Sequence, residues 1–266
     1  MYSLMFDFYV DSTTTRTVNG PFSGLGPAFS LNNQGQVAFV GDINMDFRGS
    51  PSYVLATTNG SADYHVLPVD LLVRPLLADN GRLALKLEHR TNSPLLVREQ
   101  NLVPSATLAA APDFDWTGLY PGITEDGNHV AFVGNVSSNA CLLPGPGLFL
   151  SSFTNGQWLT RRVLGTNDHL GAALFQRFHE YYRTCVATLD GQPNAVKICF
   201  GAASPTGRVG LYAAVYDFAS NQVTSLTTLI EAARTVPGLG LVSGFELHDS
   251  VNRNGEVAFW VQTTQG

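Results

Sequence analysis

The chain has 266 residues, 44% of them apolar and only 14% charged, with a net charge of −6, where an average soluble protein carries roughly 25% charged residues. The acid excess excludes the concentrated basic face that a nucleic-acid partner requires, and the pair Arg161–Arg162 is too small to supply one. No apolar run is long enough to span a bilayer, and the opening MYSLMFDFYV lacks the basic start and small-residue cleavage site of a signal peptide.

In chain order, Tyr2–Tyr9 and Thr14–Val18 read as two strands. A recurring unit then begins: an apolar residue, a short polar turn ending in glycine, and an alternating apolar strand. It reads LNNQGQVAFVG from Leu31, LADNGRLALKL from Leu77 and ITEDGNHVAFVG from Ile123. A degenerate copy, TLDGQPNAVKICFG, starts at Thr188, and VNRNGEVAFWV starts at Val251. The turn glycines, Gly35, Gly81, Gly127, Gly191 and Gly255, are separated by 46, 46, 64 and 64 residues. Each strand is rich in β-formers and too short for a helix, and each turn carries residues that tolerate positive φ, so every unit is a hairpin.

Third strands follow at Tyr53–Thr57, Pro94–Arg98, Gly147–Ser151 and Gly210–Val215. Fourth strands follow at Tyr64–Leu67, Asn101–Val103, Trp158–Val163 and Gln222–Leu226. Four antiparallel strands per repeat define a propeller blade. The expectation is an all-β, five-bladed β-propeller in a single domain. Its blades lie near 29–72, 73–120, 121–166 and 178–226, with a composite blade from 245–266 plus 1–20. In that composite blade the N-terminal strands pair with the C-terminal hairpin and remove an open edge. A fragment of a longer array and a six-bladed ring are the competing layouts. Phe29, Phe39, Phe132 and Phe259 are expected in the core between sheets.

Two stretches interrupt the β pattern. Thr228 to Glu231 has the form of a capping box, with apolar residues at helical spacing after it and Gly238 as a stop. Ala172–Tyr182, with Leu174, Phe175, Phe178, Tyr181 and Tyr182, reads as a helix or an aromatic inner strand. Among the cysteines, Cys141, Cys185 and Cys199, no zinc spacing appears. Three buried thiols are expected, with Cys185 and Cys199 on neighbouring strands that an oxidising compartment could bridge.

The units LNNQGQVAF, ITEDGNHVAF and VNRNGEVAF resemble a bacterial repeat of the form L-N-x-x-G-x-V-A-F. That repeat occurs in exported tandem-repeat proteins that often bear a C-terminal sorting anchor. The resemblance implies a propeller and a secreted or cell-surface setting. It supplies no catalytic residues, and no anchor is read in this chain.

Ligands of propellers usually meet the face formed by loops joining one blade to the next and second strands to third. Four polar loops belong to that face here. They carry Asp42, Asn44, Asp46 and Arg48; His89 and Arg90; Asp113, Asp115 and Trp116; and Asp168 and His169. Asp42, Asn44 and Asp46 alternate as in the opening of a calcium loop, but Phe47 replaces the required glycine and Tyr53 the twelfth-position carboxylate. No metal or cofactor is therefore expected. Asp113, Asp115 and Trp116 combine hydroxyl acceptors with a stacking ring, as sugar sites do. His89 and His169 read as surface residues. A glycosidase would need two carboxyls at set spacing, from candidates such as Asp42, Asp113, Glu180 and Glu246. The leading expectation is a non-enzymatic recognition module for a glycan or a protein. The rivals are a glycoside-active enzyme and a purely structural surface repeat protein.

Overall fold

The computed structural model describes residues 16–17, 20–21, 24–42, 52–58, 61–69, 75–86, 91–92, 94–98, 106–138, 140, 142–166, 168 and 175–265. Every regular element among them is a strand. A short antiparallel pair, β1 (Arg16–Thr17) and β2 (Gly20–Pro21), comes first. Blade I contains β3 (Gly24–Leu31), β4 (Val37–Asp42), β5 (Ser52–Thr58) and β6 (Ser61–Val69). Blade II contains β7 (Leu76–Leu77), β8 (Leu83–Lys86), β9 (Leu95–Arg98) and β10 (Ala106–Ala109). In blade III, β11 (Phe114–Thr117) and β12 (Gly122–Ile123) share the inner position beside β13 (His129–Val136), followed by β14 (Gly145–Thr154) and β15 (Gln157–Gly165). Blade IV repeats this with β16 (Arg177–Phe178) and β17 (Cys185–Leu189) inside β18 (Gln192–Ala203), β19 (Val209–Asp217) and β20 (Gln222–Glu231). Blade V contains β21 (Thr235–Val236), β22 (Gly240–Val251) and β23 (Val257–Thr263).

The repeated turn explains the inner hairpins. In blade I, Gly35 N–H donates to Asn32 O (3.1 Å), and Asn32 N–H donates to Gln36 O (3.1 Å). The same pair of bonds recurs at Ala78, Gly81 and Arg82 and at Asn252, Gly255 and Glu256. Gly35, Gly81, Gly127 and Gly255 have φ of 73°, 83°, 69° and 76°, the left-handed conformation that a side chain disfavours. A side-chain oxygen in each of these turns accepts a backbone N–H: Asn32 from Gln34 and Gln36, Asn80 from Arg82, Asp126 from Asn128 and Asn252 from Glu256. In blade IV, Asp190 pairs with Arg253 instead (2.9 Å), and the ladder shifts register between Thr188 and Leu189.

Neighbouring blades bury their facing side chains against each other. Phe114, Phe132 and Phe149 pack with Leu95 and Val97 between blades II and III. Phe175, Phe178, Phe200 and Tyr212 pack with Leu148 and Leu164 between III and IV. Cys185, Cys199, Leu211, Phe245 and Leu247 lie between IV and V. Phe132 and Phe39 are buried and Phe259 packs against the IV–V core, but Phe29 is exposed. Ser30 accepts a hydrogen bond from Leu77 of blade II, so its strand neighbours Phe29 and Leu31 face the other way, away from blade II.

The helix expected from Thr228 does not form: Thr227, Thr228 and Ile230 continue β20 in register with Ala213, Tyr212 and Leu211. β-Branched side chains at these positions favour the strand over a cap-like local pattern. Gly238 serves a hairpin turn in which Leu239 N–H donates to Val236 O (3.0 Å). Of the 172–182 stretch, Arg177 and Phe178 pair with Ala203 and Ala202, so this part is inner strand. The fourth strand of blade II is Ala106–Ala109; the expected Asn101–Val103 lies outside the described residues, as does Tyr2–Tyr9. Of Thr14–Val18, only Arg16 and Thr17 are described, and they pair with Pro21 and Gly20.

Candidate functional site

Asp42 ends β4, its backbone paired with Gly24 and Ser52. Asn44, Asp46, Arg48, His89, Arg90 and His169 lie outside the described residues. Phe114–Thr117 is a strand and not the expected loop. Asp113 and Asp115 are exposed at its start, and Asn135 donates to Asp115 (2.8 Å). Trp116 packs its indole against the III–IV core. Asp168 accepts from Gly165 N–H (2.6 Å) and from Arg162 (3.4 Å). It follows β15, three strand positions out from β11, which at about 4.8 Å per strand is about 14 Å. Asp115 and Asp168 therefore do not converge. Glu180 pairs with Arg177 (3.2 Å) and Glu246 with His248 (3.1 Å), each on its own element.

What does converge is the set of inner hairpin turns, at the opposite end of the strands from Asp113 and Asp168. A cavity of about 210 Å³ is lined by Ser30 and Leu31 of blade I, Leu76 and Leu77 of II, Gly122 and Ile123 of III, Cys185 to Ala187 of IV and Val251 of V. One cavity touched by the innermost strands of all five blades defines a propeller axis. Gly122 makes the close approach possible: a Cβ there would collide with the Thr184 carbonyl oxygen and sit 3.0 Å from Cys185 Cα.

Beside this axis the turns hand hydrogen bonds from blade I to II, from II to III and from IV to V. Asn33 donates its backbone and side-chain N–H groups to the Asp79 carboxylate (2.8 and 3.0 Å), and Asn32 Nδ2 donates to Ala78 O (2.9 Å). Asp79 N–H donates to Glu125 O (2.7 Å) and Asn80 Nδ2 to Asp126 O (2.7 Å). Arg82 donates to Gly127 O (3.2 Å) and Asn128 Oδ1 (2.7 Å) while stacking over Phe153. Asp190 N–H donates to Arg253 O (2.8 Å), and Lys197 Nζ to Gly255 O (2.6 Å).

Outside the axial cavity the turns enclose a wider basin of about 670 Å³, lined by Asp79, Asn80, Glu125, Asp126, Asp190 and Arg253 together with Thr188, Leu189, Gly191 and Pro193. Asp79 and Glu125 line both spaces. Burial pushes the Asp126 carboxyl up, but hydrogen bonds from Thr124 and Asn128 and the charge of His129 outweigh it and hold it below the ordinary carboxylate range. Asp126 is thus an acceptor rather than a proton donor. Burial holds His129 below its ordinary value against the opposing charge of Asp126. Its ring meets Ser152 Oγ (2.9 Å) and stacks on Phe218. The polar basin residues were within reach of the sequence: Asp79, Glu125 and Arg253 stand two residues before the turn glycine of their repeat, and Asn80, Asp126 and Asp190 one residue before it.

Fold and site together define an all-β propeller with a polar basin at one end of its axis. No family model matches the chain, and no curated protein matches it. Among solved structures, TolB from Acinetobacter baumannii is similar at 12% identity and a TM-score of 0.45, over 90% of this chain and 54% of that one. A putative TolB from Agrobacterium tumefaciens is similar at 12% identity and 0.44, over 79% and 67%. The GH74 xyloglucanase from Xanthomonas campestris is similar at 12% and 0.40, over 89% and 47%. The chain spans about half the length of the Acinetobacter protein. Among the described residues no helix is long and apolar enough to cross a membrane.

Proposed function

We propose that the chain is a non-enzymatic recognition module that seats a glycan or a protein segment in the basin at the turn end of its axis. The observation that carries this reading is the convergence of Asp79, Glu125, Asp126 and Asp190 from three blades on one space of about 670 Å³, within the range of small-molecule sites. Carboxylates and amides accept hydrogen bonds, so the basin suits a ligand rich in donors, such as sugar hydroxyls or the amides and basic groups of a peptide. It disfavours anions. A glycosidase needs one carboxyl kept protonated beside an ionised one; Asp126 is shifted in the opposite direction, while donors engage Asp79 and Asp190. Secretion or display at the cell surface accords with the L-N-x-x-G-x-V-A-F resemblance.

A glycan array and a peptide library, read beside a sugar-release assay on the same preparation, test this. Binding without sugar release is expected, weakened about tenfold or more by Glu125→Gln or Asp190→Asn, as for central contact residues. Asp115→Asn, at the far end of the strands, is expected to leave it unchanged. Binding lost with Asp115→Asn but kept with Glu125→Gln would move the site to the opposite face. Sugar release would make the protein an enzyme, and no ligand at all would leave a structural repeat.

A further inference from the structure

We propose that Cys185 and Cys199 form a cross-strand disulfide site, closed by thiol–disulfide exchange with an external disulfide such as oxidised glutathione or a disulfide oxidoreductase. The two residues are direct register partners on β17 and β18, so their side chains leave the sheet on the same face. Opposed Cα atoms in an antiparallel pair lie about 4.5 or 5.5 Å apart according to their bonding pattern, and both values fall within the roughly 4.4–6.8 Å that a disulfide accepts. Both thiols face blade V among Leu211, Phe245 and Leu247.

The two thiols differ in their surroundings. Cys185 also lines the axial cavity, whereas Cys199 is fully buried. Burial pushes the Cys199 thiol up to about 12, with the charge of Lys197 opposing, so Cys185 is the first nucleophile. Its sulfur attacks one sulfur of the external disulfide, forms a mixed disulfide and releases the first thiol. The Cys199 sulfur then attacks the Cys185 sulfur and releases the second. Two protein thiols are oxidised, one external disulfide is reduced to two thiols, and the two protons pass to the released thiolates.

The bond would close the end of the β17–β18 ladder away from its turn. In the other four inner hairpins an Asx side chain ties down the turn, whereas in blade IV Asp190 is directed to Arg253 and the ladder is bulged. A covalent tie at the far end of β17 and β18 would hold together a hairpin whose turn lacks that lock. This inference does not depend on the ligand.

The folded protein with Cys141→Ser is titrated with oxidised and reduced glutathione and analysed by non-reducing peptide mass mapping. A 185–199 cross-link is expected. Its equilibrium constant should exceed that of the same variant in denaturant by roughly 10- to 100-fold, the advantage of a short closed loop in a preformed strand pair. The unmutated chain should give the same cross-link, with Cys141 outside it. A constant no larger folded than denatured, glutathione held as a mixed disulfide with no ring closure, or a bridge that recruits Cys141 would each overturn the assignment. Because both states of one variant are compared, the result does not rest on how the single variants fold.

Discussion

Replacing Asn32 by alanine tests whether the turn side chains hold the ring together. Asn32 is buried, accepts from Gln34 N–H (3.1 Å) and Gln36 N–H (2.9 Å), and donates to Gln36 Oε1 (2.6 Å) and to Ala78 O of the next blade (2.9 Å). Gln34 is exposed, so water replaces its lost partner; Gln36 and Ala78 are buried and keep unsatisfied groups. With three buried orphans, Gln36 N–H, Gln36 Oε1 and Ala78 O, at about 1–3 kcal/mol each, Asn32→Ala should cost about 3–9 kcal/mol, or a loss of roughly 6–18 °C in Tm for a chain of this size. Asn252 makes the equivalent turn bonds with Glu256, but both residues are exposed, so Asn252→Ala should cost only about 1 kcal/mol. Asn32→Asp retains the acceptor and loses the donor to Ala78, and should fall nearer to Asn32→Ala than to the unmodified chain. Equilibrium urea unfolding and thermal melts of the three variants give the comparison. Equal losses at Asn32 and Asn252 would show that the bond to the next blade contributes nothing, and the reasoning would fail.

Gly122→Ala, which forces a methyl onto the backbone of blade IV at the axis, should cost about 3 kcal/mol or more, at the upper end for overpacking; Gly35→Ala, with open space and φ of 73°, should cost about 1–2 kcal/mol from backbone strain alone. Thermal melts of the pair should keep that order, and the reverse order would deny a tight axis. Stability should also fall with acid. His129 is held below its ordinary 6.5 by burial, against the charge of Asp126. His179 is lowered by burial and the charge of Arg177, against that of Glu180. The unfolded chain therefore takes up protons first as the pH drops. The contribution is fully present above about 6.5 and is lost below it, at up to about 1.4 kcal/mol per pH unit for His129 and less for the more solvated His179. Melts from pH 7.5 to about 5 should show this slope, flattened in His129→Gln; an unchanged slope in that variant would refute the assignment.

The propeller was legible because its information is local. Each turn glycine must adopt positive φ, and each following strand alternates faces, so one motif reports both turn and register. The breaks in the inner strands were not legible. After Phe114–Thr117, Gly118 N–H bonds Val133 O, and Leu119 N–H bonds Glu180 O in another blade; partners that distant leave no trace in the neighbouring sequence, and the segment reads as a loop. Thr228 to Glu231 misled for the converse reason, since a capping-box pattern says nothing of β19 lying alongside. The site expectation fixed on long polar loops, because composition marks them. The basin arises instead from the two positions before the turn glycine, inside the most regular part of the repeat, with Asp79, Glu125 and Arg253 at the first and Asn80, Asp126 and Asp190 at the second.

The hand-to-hand bonding of the turns has an evolutionary consequence. Turn glycines stand 46 residues apart early in the chain and 64 apart later, yet both spacings deliver an inner strand to the same axis. The longer intervals hold longer strands, 12 residues in β18 against 6, 4 and 8 in β4, β8 and β13, and their turns still reach the hub. Such an architecture can lengthen or exchange its outer segments, and so acquire new surfaces, while each unit needs to recognise only the one beside it.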